Sequence, residues 1–337
     1  MSLARHIRQV VQGAESSNDL SEDEAHDLFA AILDGGASEL EIGALLSAVR
    51  MKGESLSELL GFCRAVGERV HTLRAPSFPP MPLVFAAYGG GRDEPNLLPL
   101  LPLMLQRLGI PVLLHGTMEG GGGVAAVYVL RELGIMPCGT LAQAQKALDE
   151  EGLAFVPTAV LCPGLATLLA LRSRLGFRNS AHTLAKLLNP FADHCVRVVS
   201  ATRPEHLAAL EAFLSATGIE ALLLKSTEGE PFANPRQRPR MLHFQEGTAQ
   251  VLFDEEPASS RGAVSLPAAV DATATAQWIR LALSGRVPVP HPLVNQFACC
   301  LFASGYTEDM NQAKAIAAVE SGGLASSPGG GNRALVS

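Results

Sequence analysis

The chain has 337 residues, with 26 Lys and Arg against 33 Asp and Glu, for a formal net charge of −7. Hydrophobic residues make up 47% and aromatics 5%, which is enough apolar material for a large core and two lobes. The negative total excludes a uniformly basic nucleic-acid-binding surface, and no uncharged apolar run reaches the length of a membrane span. The start, MSLARHIRQVVQGAESS, has scattered charges and no long apolar stretch, so a secretory leader is not expected and the cytoplasm is the expected compartment. The six cysteines (Cys63, Cys138, Cys162, Cys195, Cys299 and Cys300) form no CxxC pair, so neither a zinc site nor a redox motif is predicted. His115, His182, His194 and His243 match no metal-ligand spacing and read as structural histidines.

The first 72 residues read as a small helical domain. Ser21-x-x-Glu24, Ser38-x-x-Glu41 and Ser55-x-x-Glu58 are three capping-box patterns, each before apolar residues at helical spacing. Gly35-Gly36 and Gly53 stop the helices, and the short connections imply an antiparallel bundle. Residues 73–82 form a proline-rich joint.

After the joint the rhythm changes. Strands are predicted at Leu83–Ala87, Val112–Leu114, Phe155–Leu161, Cys195–Val199, Ala221–Lys225 and Gln250–Phe253. Helices are predicted at Leu98–Leu108, Val124–Leu133, Thr273–Leu283, Val294–Ala303 and Met310–Val319. Strand, glycine loop, helix and strand in succession predict an α/β lobe on a mainly parallel sheet, whose ligands bind beyond the carboxyl ends of the strands. Residues 80–167 and 193–320 make up this lobe. The glycine- and serine-rich segment 321–337 reads as a flexible tail.

Helices return within Arg172–Phe191, expected to complete the first domain from about residue 168 to 192. Asn179 or Ser180 can cap a helix carrying His182, Lys186 and Asn189 on one face. Arg178 stands at its positive end, with Arg172 and Arg174 just before it, and a helix start of this kind is an anion-site candidate. Residues 172–203 hold six Lys and Arg against one acid, Asp193. A second basic stretch follows Lys225, where Arg236, Arg238 and Arg240 alternate between Pro235 and Pro239. The prolines forbid a helix there. An extended chain would project the three arginines from one side, about 6.6–6.8 Å apart, as a grip for a phosphate backbone.

Several stretches resemble the anthranilate phosphoribosyltransferases. ELEIGALLSAVRMKGESLSELLGF is similar to that family's N-terminal helical signature, and LRSRLGFRN with Asn189-Pro190 to the segment crossing its aromatic-acid pocket. The resemblance covers nearly the whole chain. It implies the nucleoside phosphorylase/phosphoribosyltransferase-like fold, a homodimer through the helical domain, and Arg172 facing the aromatic acid. The family's Gly-Thr-Gly-Gly-Asp turn for the diphosphate matches Tyr88-Gly89-Gly90-Gly91, without the threonine and aspartate. Its Lys-His-Gly-Asn element matches Leu114-His115-Gly116-Thr117, without the lysine. Its magnesium-holding Asp-Glu pair matches Thr227-Glu228-Gly229-Glu230, where Glu228 and Glu230 are weak cation candidates. The reaction depends on positioning and metal-assisted charge stabilisation, so these losses imply a vestigial phosphate site and no required cofactor.

A closer resemblance is to the YbiB-type DNA-binding family of glycosyltransferase family 3, non-catalytic paralogues of the transferase. It rests on Phe177–Leu187, on Thr227-Glu228-Gly229-Glu230 with Ala233-Asn234-Pro235, and on Thr275-Ala276-Gln277-Trp278-Ile279. Where the transferase usually has Gly-Pro, this chain has Ala185-Lys186, which lets the helix continue and adds a cation to the pocket. The resemblance implies a dimer that binds single- or double-stranded nucleic acid with little sequence preference. Arg174, Arg178, His182, Lys186, Lys225, Arg236, Arg238 and Arg240 are then the contact candidates, with Phe177, Phe191 and Phe232 as the few aromatics able to stack. Two alternatives stay open: a phosphoribosyl pyrophosphate- and magnesium-dependent transferase, and a small-anion sensor.

Overall fold

In the computed structural model, which describes residues 3–11, 19–76, 80–192, 194–257 and 265–323, the three serine caps behave as their spacing predicts. After α1 (Leu3–Val11), they open α2 (Glu22–Leu33), α3 (Glu39–Lys52) and α4 (Leu56–Gly67), each as a reciprocal capping box. The third box is also buried. Glu58 accepts the Leu20 N–H at 3.1 Å and pairs with Lys52 at 2.6 Å, tying the entry of α2 to α3 and α4. Helices α2 and α4 cross closely at Gly61, where a Cβ would lie 2.8 Å from both Ala25 and the His26 nitrogen. The Phe29 and Phe62 rings meet there, 4.7 Å apart.

The second lobe begins with β1 (Leu83–Ala87), α5 (Leu100–Arg107), β2 (Val112–Gly116), α6 (Ala126–Glu132), α7 (Leu141–Glu151) and β3 (Leu153–Pro157). Four short helices then leave the sheet: α8 (Thr158–Leu161), α9 (Pro163–Ala170), α10 (Arg172–Leu175) and α11 (Ser180–Lys186). The chain returns through β4 (Val196–Ala201), α12 (Pro204–Thr217), β5 (Ala221–Lys225), β6 (Met241–Gln245) and β7 (Thr248–Phe253). It closes with α13 (Ala272–Leu283), α14 (His291–Ala303) and α15 (Met310–Ala318). A wide turn, Val319–Gly323, follows, and the rest of the predicted tail lies outside the described residues. Among the described residues no helix is long and apolar enough to cross a membrane.

The seven strands form one sheet in the order β3-β2-β1-β4-β5-β6-β7, parallel from β3 to β5 and antiparallel beyond. Strands β1 and β2 are buried along their whole length because both faces are covered, so they read as unbroken apolar runs. Leu83, Phe85 and Ala87 face the α5–α6–α14 side. Ala86 and Tyr88 pack with the helical lobe, whose core includes Leu28, Phe62, Leu165 and Leu184. The two lobes therefore share one continuous core on one side of the sheet.

Three expectations need correction. The run Phe155–Leu161 is not one strand: β3 ends at Pro157 and α8 starts at Thr158, with Leu161 packed among residues of β2, β3 and α7. Helices α7 and α12 and strand β6 were not predicted. Helix α11 stops at Lys186, so Asn189 does not share its face; the Asn189 side chain instead accepts from the Phe191 N–H and the Cys195 thiol.

Candidate functional site

Chain direction reverses its lateral progress between β1 and β4, and a crevice opens there beyond the strand ends. The loop after β1 is Tyr88-Gly89-Gly90-Gly91, with Gly90 at φ +86°. The Gly91 N–H donates to the Val124 carbonyl at 3.0 Å, whereas the Gly90 N–H faces the turn after β5, which supplies carboxylates. Glu230 accepts the Gly90 N–H at 2.8 Å and the Asn96 side-chain amide at 3.1 Å. Glu228 accepts the N–H groups of Arg92, Asp93 and Glu94 at 2.7, 3.1 and 3.3 Å. The Glu-Gly-Glu turn is strained into place, since Glu228 sits at φ +52° and Gly229 at +93°. A side chain at Gly89 would lie 2.7 Å from the Glu230 nitrogen, so only glycine permits the approach. Glu230 is 1% exposed, and burial raises its pKa against the opposing pull of the Gly90 N–H, Asn96 and Arg178.

Glu228 and Glu230 are the residues that would have to hold magnesium. Glu228 already accepts three backbone N–H groups, and among the described residues no group of three or more His, Cys, Asp or Glu is arranged to hold a metal ion. An ion that demands a near-octahedral oxygen set is not served by this arrangement.

The Leu114-His115-Gly116-Thr117 stretch is also turned inward. His115 is fully buried. Its Nδ1 lies 2.8 Å from the Tyr88 hydroxyl, which is 2.7 Å from Thr158 Oγ1, which in turn donates to the Gly116 carbonyl at 3.0 Å. Burial and the charge of Arg197 push the His115 pKa down to about 3, so it is neutral. The Thr117 hydroxyl donates to the Glu119 carbonyl at 2.8 Å. These groups pin the ends of β1, β2 and β3 together.

The cations are arranged differently. Arg172 and Arg92 both donate to the Gly121 carbonyl, at 3.1 and 3.3 Å. Arg178 reaches the Tyr88 carbonyl at 3.4 Å and lies flat on Gly229, where a Cβ would be 2.7 Å from its Nη1. Lys186 donates to the Ser200 carbonyl at 2.6 Å. Among the described residues none of these four forms an ion pair. Burial and neighbouring charge lower three of them. Burial and then Arg92 lower Arg172, and burial, Arg172 and Arg92 lower Arg178. Burial, followed by Arg178, brings Lys186 down to about 8, with Glu230 opposing.

Two cavities meet at this cluster. One, of about 450 Å³, is lined by Tyr88, Thr158, Leu169 and Arg172, with an otherwise apolar wall from α9. The other, of about 350 Å³, is lined by Arg50, Arg172, Arg178, Lys186 and Arg203, with Glu54 as the single carboxylate. His182 borders both. It is 8% exposed, and burial with Arg178 and Arg172 pushes its pKa down to about 3, so it contributes no charge to the rim.

The remaining predicted contacts divide. Arg174 does not line the crevice; it pairs with Glu39 at 2.9 Å on the outer surface. The helix start at Asn179 is no anion site, because the Asn179 side chain already accepts the Ala181 N–H. The arginine stretch lacks helix, as predicted, but it is not straight. Asn234 accepts the N–H groups of Arg236, through its side chain, and Gln237, through its carbonyl, so the chain turns there. Arg236 consequently pairs with Glu94, while Arg238 pairs with Glu256 at 2.9 Å and lies 5.2 Å from the Phe253 ring centre. The arginines therefore do not form one cationic row. Lys225 and Arg240 are exposed and have no carboxylate partner among the described residues. Phe191 and Phe232 are core residues at 1% exposure, leaving half-buried Phe177 at the crevice. Arg92, directly after the glycine turn, and Arg203, within the basic stretch 172–203, were visible in the sequence but not named as contacts, and Arg50 carried no signal.

The profile of the glycosyl transferase family, helical bundle domain, matches residues 4–69. The crystal structure of anthranilate phosphoribosyltransferase from Thermus thermophilus superposes with a TM-score of 0.74 at 22% identity, covering 94% of each chain. The Saccharomyces cerevisiae enzyme in complex with PRPP and Mg gives 0.69 at 14% identity, covering 95% of this chain and 93% of that one. The anthranilate phosphoribosyltransferase of Geobacillus kaustophilus (strain HTA426) is 25% identical over 92% of both chains. The fold is that of an anthranilate phosphoribosyltransferase, with an N-terminal helical domain and an α/β domain. The Escherichia coli (strain K12) protein YbiB is 40% identical over 306 residues, 90% of this chain and 95% of that protein. The chain belongs to the YbiB family.

Proposed function

We propose that the protein is a non-catalytic, sequence-independent nucleic-acid-binding protein that holds the phosphate backbone in the crevice between its lobes. One observation carries this reading: Arg172, Arg178 and Lys186 are gathered without carboxylate partners in a chain of net charge −7. Bringing like charges together out of water costs stability, and an anion entering between them recovers it. The neighbouring diphosphate turn supports the reading too, because the chain's own carboxylates occupy its N–H groups. Lys225 and Arg240 extend the contact outward. Arg236 and Arg238 add less, since each must first leave a carboxylate.

Five phosphate contacts from Arg172, Arg178, Lys186, Lys225 and Arg240 would reduce affinity for duplex DNA about 500-fold between 50 and 200 mM salt. The scarcity of accessible aromatics favours backbone contacts over base stacking. The test is a gel-shift salt titration with a single strand and a duplex, comparing wild type with the Arg178→Met/Lys186→Met variant. The variant should lose affinity, and its log–log salt slope should flatten by roughly 1.4–1.8. Equal affinity and slope for the two proteins would refute the assignment.

Self-association through the helical lobe belongs to the same proposal. Leu40 and Met51, at 84% and 88% exposure, lie three turns apart on one face of α3. Sedimentation of Met51→Glu, expected to shift towards monomer, checks it. A transferase is the second reading, favoured by the apolar cavity of about 450 Å³ bordered by Arg172. Product formation from anthranilate and phosphoribosyl pyrophosphate would support it over the first.

A further inference from the structure

A separate cavity of about 630 Å³ lies at the antiparallel edge of the sheet, between the end of β7, the loop before α14, and α15. It shares no lining residue with the crevice between the lobes. Arg238, Arg286, His291 and Lys314 line it, and among the described residues no Asp or Glu does, although Arg238 is paired with Glu256 at 2.9 Å just outside the lining. The Phe253 ring stands among these cations, with the Arg238 guanidinium 5.2 Å and the Lys314 ammonium 4.9 Å from its centre. The floor is aliphatic, formed by valines and alanines of α14, α15 and the preceding loop. Asn295 also lines the cavity. It is 6% exposed, and its side-chain N–H₂ has no hydrogen-bond partner among the described residues.

Each feature restricts the ligand. Arg286 and Lys314, which have no carboxylate partner among the described residues, favour an anion. The aliphatic floor and the cation-flanked ring require an apolar or aromatic body. The unpartnered buried amide requires an acceptor within that body, because leaving it unmade costs free energy. An alkyl chain offers no such acceptor, and free phosphate offers no apolar body. A heteroaromatic ring carrying a phosphate satisfies all three, and the cavity falls within the usual size range for small-molecule sites. We infer that this cavity is a binding site for a nucleoside monophosphate, with the base against Asn295 on the aliphatic floor and the phosphate between Arg286, Lys314 and Arg238. The inference does not depend on the proposed nucleic-acid binding in the crevice.

The site is tested by titrating the full chain with AMP and UMP, with adenosine and inorganic phosphate as partial ligands, by calorimetry. AMP or UMP should bind at least tenfold more tightly than adenosine or phosphate alone. Asn295→Ala and Lys314→Met should each weaken nucleotide binding about tenfold or more. Lys314 is exposed, so its variant keeps the test interpretable if Asn295→Ala folds poorly. Lys186→Met, in the crevice, should leave AMP affinity unchanged while weakening oligonucleotide binding. Absence of AMP and UMP binding, or nucleotide affinity unaltered in Lys314→Met and lost in Lys186→Met, would overturn the assignment.

Discussion

Replacing Lys186 by Met should make the protein more stable and worse at binding polyanions. Burial and Arg178 bring the Lys186 pKa from 10.5 to about 8. The fold therefore binds fewer protons than the unfolded chain between those values, and stability rises as pH climbs through that window. Below pH 8 the charged lysine costs about 3 kcal/mol, since each pKa unit corresponds to roughly 1.4 kcal/mol. Methionine removes that cost but abandons the Ser200 carbonyl, which loses a hydrogen bond worth about 1–1.5 kcal/mol. The expected net gain at pH 7 is about 2 kcal/mol. At pH 9.5 the wild-type cost has fallen to about 1 kcal/mol, so most of the gain should vanish there. Urea unfolding of both proteins at the two pH values, without nucleic acid, measures this directly. A destabilised variant at pH 7, or a gain that does not change with pH, would refute the reasoning about the crowded cations.

Other outcomes follow from the same contacts. Glu230→Ala should free the Gly90 N–H, costing roughly 1–3 kcal/mol of stability, and should let pyrophosphate raise the melting temperature where it does not in wild type. Glu58→Ala removes a fully buried acceptor of Lys52 and Leu20, so it should destabilise by roughly 3–5 kcal/mol in denaturant unfolding. Gly61→Ala forces α2 and α4 apart and should cost about 1–3 kcal/mol by the same assay. Lys225→Ala and Arg240→Ala should each reduce the duplex salt slope by about 0.9, whereas Arg236→Ala, already paired with Glu94, should change it less in the same gel-shift series.

Much of the fold was legible because its signals are local. The three Ser-x-x-Glu boxes fixed helix starts to the residue, and strands buried on both faces left unbroken apolar runs such as Leu83–Ala87. The omissions also had local signals. Helix α12 carries Pro204 in its first turn and Gly218 in the left-handed cap, and the β6–β7 hairpin turns on Glu246-Gly247, both at positive φ. The candidate site was legible in part. The low acid count around 172–203 located Arg172, Arg178 and Lys186, which do meet in space. The alternation at Arg236, Arg238 and Arg240 misled, because the Asn234 turn and the distant partners Glu94 and Glu256 leave no trace at that spacing.

The Glu228–Glu230 turn has one more implication. A ligand tethered by the chain competes with dissolved anions at an effective concentration in the millimolar range or above. Pyrophosphate or a sugar diphosphate would have to displace that tethered rival and then sit beside an uncompensated Glu230. The turn blocks the chain's own N–H groups by covalent connectivity, so a search for an anion that binds there should begin with the turn unlocked.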